Sequence, residues 1–384
     1  MDKKAKLTLK NKIVQNMSKS GLIDIIRLIR TERVGTITFT KLIEQFGDAS
    51  TAIEALPTLV KNSQKPFKIC SKSVAEKEIE FAEKNNIEII DYTSNLHPPL
   101  LKQTEGFPPI LFAKGHSKLL KKSSIAIVGS RMASIVGQQN AYNFAQGLGE
   151  NGFLVISGLA KGIDTSAHEG SLTRGTVAVL GCGVDIVYPK ENQKLYDKII
   201  ESGLVISEFP IGSIPVAHNF PKRNRIISGI SRGVLVVEAS QNSGSIITAK
   251  TALDQGREVF AIPGNPADSR SRGTNALIKD GAILTESVQD ILDAIKKHHI
   301  VSDNISNNFT PKRINMNDFS ENELDEVRNY LMQVLSPTPV SIDTILQQNK
   351  FNYNQISIVI LELELSGKLE RHPNNRISLI NAIK

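Results

Sequence analysis

Residues 125–137 read IAIVGSRMASIVG, a run of apolar residues that ends in a turn of glycine, serine and arginine. Apolar runs without polar alternation are typical of strands buried on both faces, as in a parallel sheet. Helical stretches separate most of these runs, which predicts an α/β domain with a Rossmann-like, doubly wound parallel sheet. The runs lie at residues 125–128, 154–156, 177–180, 204–206, 234–237 and 259–262, and two earlier runs at 87–90 and 110–112 predict additional strands.

The chain is predicted to carry a small domain on either side of this sheet. In residues 15–65, apolar side chains recur at helical spacing, which predicts a small helical domain of the SAM-like or helix-hairpin-helix kind. The Rossmann-like domain is assigned to residues 66–298. Residues 299–318 are rich in asparagine and serine, a composition typical of a linker. Residues 319–384 are predicted to form a winged-helix domain.

The winged-helix prediction rests on three apolar stripes at helical spacing, followed by two short runs that predict a hairpin around residues 373–375. Three helices and a hairpin are the plan of a winged helix. Many winged helices bind duplex DNA, and many others are docking modules for proteins. The predicted third helix carries Glu362 and Glu364 and has no cation before Lys368, which is unfavourable for insertion into a DNA groove.

The composition narrows the class of protein. The 384 residues are 40% hydrophobic and 22% charged, as in soluble globular proteins, and the net charge of +7 is compatible with a polyanionic partner. No apolar run approaches the roughly 18 residues of a membrane span. We therefore expect a cytoplasmic protein without a membrane partner. Cys70 and Cys182 lack CxxC spacing, and the histidines form no metal-binding cluster, so no metal site is expected.

The strands of the predicted sheet end in turns rich in glycine and hydroxyl residues. In an open parallel sheet, ligands bind at the carboxyl ends of the strands. Glycine lets the backbone present N–H groups to a ligand, a helix N-terminus adds partial positive charge, and arginine or lysine adds full charge. The turns therefore predict an anion site, with the candidate residues Gly129, Ser130, Arg131, Ser157, Gly158, Lys161, Gly162, Ser243, Gly244, Ser245 and Thr248.

These turns match none of the common nucleotide signatures. The chain has no GxxxxGK[ST] loop, and GSRMASIVG does not fit the GxGxxG pattern. No carboxylate clearly closes the second strand of the sheet to hold a ribose. ATP hydrolysis and NAD chemistry are therefore disfavoured, and no cofactor is predicted.

Residues 220–229 read FPKRNRIISG, with three cations within four positions next to an aromatic ring. Single-stranded nucleic acid is held in this way, with phosphates paired to lysine and arginine and a base stacked on the ring. The alternative is that the ring belongs to the core and the cations are solvated. Arg225 is predicted to point inward and to brace the phosphate-binding turns. The candidate contacts are Phe220, Lys222, Arg223, Asn224 and Arg225.

At these residues the sequence resembles the DNA processing protein A family, also called DprA or Smf. The resemblance extends over nearly the whole chain. It is carried by IVGSR (127–131), SGLAKGIDTSAH (157–168), AVLGCGVDIVYPKEN (178–192), SEFP (207–210), FPKRNRIISG (220–229), VVEASQNSGSIITA (236–249) and GREVFAIPGN (256–265).

The resemblance implies a non-enzymatic protein that binds single-stranded DNA through its Rossmann-like domain. It also implies a homodimer formed through that domain, and loading of the RecA recombinase in natural transformation, or competence, and in homologous recombination. By the same resemblance, the GSR turn (residues 129–131) holds a backbone phosphate. Lys161, Phe220 and Lys222 are then expected to line the path of the strand.

Two other functions remain open from the residues. A regulator could bind duplex DNA through the winged helix. A nucleotide-processing enzyme of the phosphoribohydrolase type could use a similar core, but it needs a positioned acid or base. Residues 242–248 lack the glutamate of the PGGxGTxxE stretch found in such hydrolases. The candidate acids and bases are Asp164, Asp185, Glu208, Glu238 and His168, although a role in helix packing is favoured for the histidine.

Overall fold

The computed structural model describes residues 19–61, 67–302, 319–347, 351–372 and 375–380. The chain divides into two compact units. The central unit comprises Glu78–Asn308, and the terminal unit combines Met1–Lys77 with Phe309–Lys384. The two flanking regions of the sequence therefore belong to one body.

Helices and strands alternate through the central unit, and the terminal unit adds helices from both flanking regions and three short strands. The helices are α1 (Lys19–Ile29), α2 (Thr36–Phe46), α3 (Ala49–Leu59), α4 (Lys72–Lys84), α5 (Pro99–Lys102), α6 (Ile135–Glu150), α7 (Ile163–Ser171), α8 (Gln193–Ser202), α9 (Asn219–Ile230), α10 (Gly244–Asp254), α11 (Arg272–Lys279), α12 (Val288–Ser302), α13 (Glu321–Val334), α14 (Ile342–Gln347) and α15 (Tyr353–Leu365). The strands are β1 (Glu88–Asp91), β2 (Ile110–Gly115), β3 (Ser124–Val128), β4 (Leu154–Ser157), β5 (Thr176–Val179), β6 (Leu204–Ser207), β7 (Gly233–Val236), β8 (Glu258–Ala261), β9 (Ile283–Leu284), β10 (Val340–Ser341), β11 (Leu369–His372) and β12 (Arg376–Leu379).

The described part of the central unit contains one nine-stranded sheet, in the order β1-β2-β6-β5-β4-β3-β7-β8-β9. The pairs from β6 through β9 are parallel. In contrast, β1 pairs antiparallel with β2, and β2 pairs antiparallel with β6. The predicted doubly wound parallel sheet is confirmed, and the two early apolar runs form the antiparallel edge.

Strand β3 shows why its sequence is apolar at every position. Ile125 and Ile127 pack with residues of α6, α7 and α12 on one face of the sheet. Ala126 and Val128 pack with residues of α9 and α10 on the other face. Both faces are covered, so each of these side chains is buried. Full burial of an isoleucine or valine stabilises the fold by roughly 1.5–3 kcal/mol, so the two-sided core favours continuous apolar runs over alternation.

Strand β3 is also where the winding of the sheet reverses direction. It pairs with β4 on one side and with β7 on the other. The loops that follow β3 and β7 therefore lead to opposite faces and leave a crevice at the carboxyl ends of the strands. This position in an open sheet is where ligands generally bind.

The terminal unit contains α1 to α3 and a domain formed by α13 to α15 with strands β10 to β12. The predicted helical and winged-helix domains are both confirmed. Capping boxes start two of the winged-helix helices, Ser320 with Glu323 at α13 and Asn352 with Gln355 at α15. Residues 373–374 of the predicted hairpin turn lie outside the described residues. Helix α12 runs to Ser302, and the remainder of the predicted linker, residues 303–318, lies outside the described part of the chain.

Helix α15 occupies the position of the third winged-helix helix, and most of its surface is covered. Glu362 is buried and paired with Arg328 of α13. The carboxylate of Glu364 accepts a hydrogen bond from the Thr38 hydroxyl of α2 at 2.9 Å. Arg33 donates to the carbonyl oxygen of Leu365 at 2.8 Å. The acidic residues that made groove insertion unfavourable in the sequence therefore bind partners within the terminal unit.

No helix in the described part of the chain is both long enough and apolar enough to cross a bilayer.

Candidate functional site

The GSR turn follows β3 and is held between two other loops. The backbone N–H of Ser130 donates to the carbonyl of Glu238, after β7, at 2.7 Å. The carbonyl of Ser130 accepts from the N–H of Ile163, at the start of α7, at 3.2 Å. A Cβ at Gly129 would lie 2.6 Å from the Ile163 side chain, so only glycine fits. The turn is therefore fixed, while the Arg131 side chain is exposed and forms no ion pair with any described residue.

The start of α6 is fastened beside this turn by Glu238. Its carboxylate accepts from the backbone N–H of Ser134 at 2.9 Å and from the Ser134 hydroxyl at 2.5 Å. The Ser134 hydroxyl in turn accepts from the N–H of Gly137 at 2.9 Å and caps the helix. Glu238, a candidate acid or base in the sequence, therefore holds the rim of the crevice in place.

The second turn, after β4, is organised by a buried carboxylate. Asp164 accepts from the backbone N–H groups of Gly158 at 3.1 Å and Ala160 at 3.3 Å. Gly162 has a φ of 78°, and a Cβ there would lie 2.4 Å from the carbonyl oxygen of Ser130. The first and second turns are therefore in direct contact. Lys161 is exposed and pairs with Glu191 at 2.5 Å.

Arg223 braces the second turn from below, although the sequence assigned this role to Arg225. Arg223 is buried, and its guanidinium donates to the carbonyl of Gly158 at 2.6 Å and to that of Val179. Burial lowers the pKa of Arg223 to about 10, an effect that nearby Asp164 opposes. Burial raises the pKa of Asp164, and Arg223 acts in the opposite direction.

The prediction for Arg225 was wrong because of helical geometry. Successive residues of a helix are rotated by about 100°, so positions 223 and 225 point in nearly opposite directions. Arg225 donates to the carbonyl of Gly106 at 2.9 Å and pairs with Glu208. This arginine therefore joins α9 to the segment before β2 and to the end of β6.

Phe220 lies at the first turn of α9, beside Arg131 and a second ring. The Arg131 guanidinium carbon lies 5.5 Å from the centroid of the Phe220 ring. The ring centroid of Tyr188 lies 5.4 Å away, with 36° between the two planes. A Cβ at Gly181 would lie 2.9 Å from the Phe220 ring. Phe220 is half-buried in this stack and is neither a core residue nor a free platform.

The turns and the ring pair enclose a cavity of about 630 Å³. Helix α10 begins at its edge without a side-chain cap, so its first N–H groups and the helix dipole add positive potential. The predicted residues that line this cavity are Gly129, Ser130, Arg131, Phe220, Arg223, Asn224, Ser243, Gly244, Ser245 and Thr248. Gly158 and Lys161 line a smaller adjoining cavity of about 60 Å³.

Four predicted residues line neither cavity. Ser157 is buried, and its hydroxyl donates to the carbonyl of Ile127 at 2.7 Å. Gly162 lies beneath the GSR turn, and Arg225 is turned toward Glu208. Lys222 is exposed on α9 and forms no ion pair with the described residues. Ser157, Gly162 and Arg225 therefore support the surrounding structure, whereas Lys222 extends the positive surface outside the cavity.

The other candidates for acid or base catalysis also have structural partners. Asp185 accepts from the backbone N–H of Gly212 at 2.8 Å. His168 is fully buried, and its Nε2 accepts from the N–H of Leu159 at 3.3 Å, while Nδ1 bonds Thr176 at 2.8 Å. Burial lowers the pKa of His168 to about 3, which keeps it neutral. The predicted packing role of this histidine is confirmed.

The cavity residues that reasoning from the sequence missed include Tyr188, Met132 and Ile247. Tyr188 stands in the VDIVYPKEN stretch, after β5, and an aromatic residue in a loop at a strand end was an available signal. Met132 stands in the turn after β3 and Ile247 in the first turn of α10, and apolar residues at these places gave no signal of their own.

Comparison with known protein families gives three matches along the chain. The family model for DNA recombination-mediator protein A matches residues 88–296. A DprA-like N-terminal HHH domain matches residues 20–80, and a DprA winged helix domain matches residues 318–375. The three matches follow the order of the helical domain, the sheet and the winged helix.

Individual proteins show the same similarity. Protein Smf of Escherichia coli K12 is 35% identical over 84% of this chain and 85% of its own length. DNA processing protein DprA of Streptococcus pneumoniae R6 is 46% identical over 56% of this chain and 75% of its own.

Two solved structures resemble this chain in fold. The X-ray structure of DNA processing protein A from Streptococcus pneumoniae has a TM-score of 0.55 at 38% identity, over 64% of this chain and 82% of that one. The Helicobacter pylori protein, studied for its single-stranded DNA binding mode, has a TM-score of 0.51 at 28% identity, over 55% of this chain and 96% of that one.

Proposed function

Because this chain belongs to the DNA recombination-mediator protein A family, also called DprA or Smf, we propose that it binds single-stranded DNA at the crevice beside β3 and acts in recombination without catalysing a reaction. The observation that carries the proposal is the content of a single cavity. It joins the uncapped N-terminus of α10, the exposed Arg131 guanidinium and the Phe220–Tyr188 ring pair. Phosphates need the first two groups, and bases need the third.

The cations around the cavity are suited to the phosphates of a DNA strand. Arg131 and Lys222 have no carboxylate partner among the described residues, so both are available to phosphates. Each phosphate contact releases a counterion and makes binding weaker as salt rises. Asparagine can pair with the edge of a particular base, but the Asn224 amide at the cavity already bonds Arg223 and the carbonyl of Gly244. We therefore expect affinity that depends on salt and very little on sequence.

The runner-up function, a nucleotide-processing enzyme, needs a free acid or base at the cavity. Asp164 and Glu238 hold backbone N–H groups, and Glu208 pairs with Arg225. Burial raises the pKa of the Cys182 thiol to about 11, so this sulfur is protonated at neutral pH and a poor nucleophile. These hydrogen bonds, the ion pair and the protonated thiol favour a binding role over catalysis.

The direct test is a fluorescence-polarisation titration of a labelled single-stranded oligonucleotide over a series of salt concentrations. We expect tight binding that weakens with salt, and R131A should weaken it by about tenfold or more for every sequence while reducing the salt slope by about one. The matched control is R174A. Arg174 is an exposed arginine directly before β5, at the amino end of that strand, whereas the cavity lies at the carboxyl ends of the strands. Equal affinity for duplex, or an R131A variant that binds like wild type, would contradict the proposal.

The enzymatic alternative is tested separately. Incubation of the protein with nucleoside monophosphates should release no free base or ribose phosphate above the level of a heat-inactivated control. Turnover that is lost in an Asp164→Asn variant would favour the phosphoribohydrolase interpretation.

Further steps of the proposal rest on the family resemblance: the chain forms a homodimer and loads RecA recombinase onto DNA during natural transformation and homologous recombination. Sedimentation of the full chain should give twice the mass of the monomer. RecA filament assembly on DNA coated with single-strand-binding protein should accelerate when this protein is added. A monomer, or a protein without effect on RecA, would remove these steps while leaving the DNA-binding proposal intact.

A further inference from the structure

Tyr188 is the outer ring of the aromatic pair at the cavity. It lies in the loop between β5 and α8, and 41% of its surface is exposed. Phe220 is packed between Arg131, Gly181 and the Tyr188 ring, so little of its face remains open. The sequence favoured Phe220 as the platform for a base. In the folded chain, both rings line the cavity, and Tyr188 is the more exposed of the two.

We propose that Tyr188 is the base-stacking residue of this site, with Phe220 and Arg131 supporting it from behind. This inference rests on the proposed binding of single-stranded DNA. Stacking of a base on an aromatic ring tolerates any sequence, because every base has a π-face. Phe220 fixes the orientation of the tyrosine ring, which reduces the entropy lost when a base stacks on it.

The rest of the cavity wall fits the same ligand. Met132 is 86% exposed and Ile247 is 47% exposed, and both line the cavity with Tyr188. Exposed apolar side chains that group on one surface are typical of binding sites. The Arg131 guanidinium and the uncapped N-terminus of α10 supply the polar floor. A cavity with N–H groups and a guanidinium at its floor and apolar or aromatic groups along its walls matches a nucleotide unit, with the phosphate below and the base against the walls.

The chain contains no tryptophan, which allows a specific fluorescence test. A Y188W variant carries a single tryptophan at the proposed platform. We expect its emission to be quenched by an oligo-dT strand and to change little with an abasic strand of equal length. The control is Y142W, because Tyr142 is 39% exposed on α6 and does not line the cavity. Emission from Y188W that responds equally to both strands, or to neither, overturns the proposal.

Affinity measurements separate stacking from a role in packing alone. Y188A should lose about tenfold in affinity for oligo-dT, the scale expected for one stacked base, and less than twofold for the abasic strand. Y188F should bind both like wild type. An equal loss for both strands would mean that Tyr188 only supports Phe220, and no loss would mean that the base lies elsewhere. A wild-type protein that binds neither strand would instead refute the proposed function itself.

Discussion

The guanidinium of Arg223 donates to the carbonyl oxygen of Gly158 at 2.6 Å, from beneath the turn that faces the cavity. This contact joins residues 65 positions apart in the chain and places a buried positive charge behind the glycine-rich loops. The N–H groups of the same turn are held by Asp164. The turn is thus fixed by a cation at one side and a carboxylate at the other, both buried.

The Arg223–Gly158 contact predicts a large loss of stability when the arginine is removed. R223L leaves two carbonyl groups without a donor and Asp164 without its nearby cation, which should cost about 3–5 kcal/mol in the free energy of unfolding. Urea denaturation followed by circular dichroism measures this change. K222A is the control, because the exposed neighbour should alter stability by less than about 0.5 kcal/mol. If R223L loses no more stability than the control, the hydrogen bonds of Arg223 make no net contribution to the free energy of unfolding.

Gly162 is predicted to control the position of the GSR turn. G162A combines the strain of a positive φ with a Cβ placed 2.4 Å from the Ser130 carbonyl oxygen. We expect about tenfold weaker binding of single-stranded DNA in a polarisation assay, because Ser130 and Arg131 must shift.

The control for this prediction is G256A. Gly256 also has a positive φ, of 68°, but no atom lies within 4 Å of the position that a Cβ would occupy there. It should lose only stability, by about 1 kcal/mol. If both variants bind DNA equally well, the contact between the two turns does not position the site.

The buried histidine His168 predicts a pH dependence of stability. Burial lowers its pKa to about 3 from 6.5, so the unfolded chain binds more protons than the folded one between these values. Stability should therefore be fully present above about pH 6.5 and fall as the pH decreases toward 3, by up to about 1.4 kcal/mol for each pH unit.

The comparison that isolates His168 uses variants. Urea midpoints at pH 7 and pH 5 should differ less in H168Q than in wild type, while H116Q, at an exposed position, should behave like wild type. His97, whose pKa burial lowers to about 4, adds a second contribution in the same direction. An unchanged pH dependence in H168Q would show that the fold does not lower the pKa of this imidazole.

The contact between α2 and α15 predicts an effect on the terminal unit alone. T38E places a second carboxylate against Glu364 and removes the hydrogen bond between them. Repulsion at this buried position should loosen α15 by about 1–2 kcal/mol or more. Faster amide hydrogen exchange in α15 would report it. T51E, an exposed position on α3, is the control. Binding of single-stranded DNA should stay at the wild-type level, and a large loss would place α15 in the DNA-binding function.

The sequence predicted the central sheet well because its signals are local. A strand covered on both faces is favoured by an uninterrupted apolar run, and β3 to β8 carry such runs. The turns at their carboxyl ends carry the glycine residues that close packing requires, as at Gly129 and Gly162. Most of the candidate residues in these turns reach a cavity.

The errors arose where the direction of a side chain mattered. In the run of cations on α9, the sequence did not distinguish Arg223 from Arg225, since the start of the helix and its buried face were both unknown. Ser157 is the last residue of β4, directly before the glycine turn, and its hydroxyl bonds the neighbouring strand β3 at the Ile127 carbonyl.

By itself, the sequence determined the sheet, the glycine-rich turns and the family, because the spacing of apolar residues, the positions of glycine and the family motifs are all properties of neighbouring residues. Only the tertiary structure decided that Arg223 lies beneath the turns, that Tyr188 covers Phe220, and that Glu238 fastens α6 from 104 positions away. These contacts depend on the strand order and on the rotation of each helix against the sheet. The free energy of packing the whole core determines the strand order and the helix rotations, and it cannot be read from any local sequence pattern.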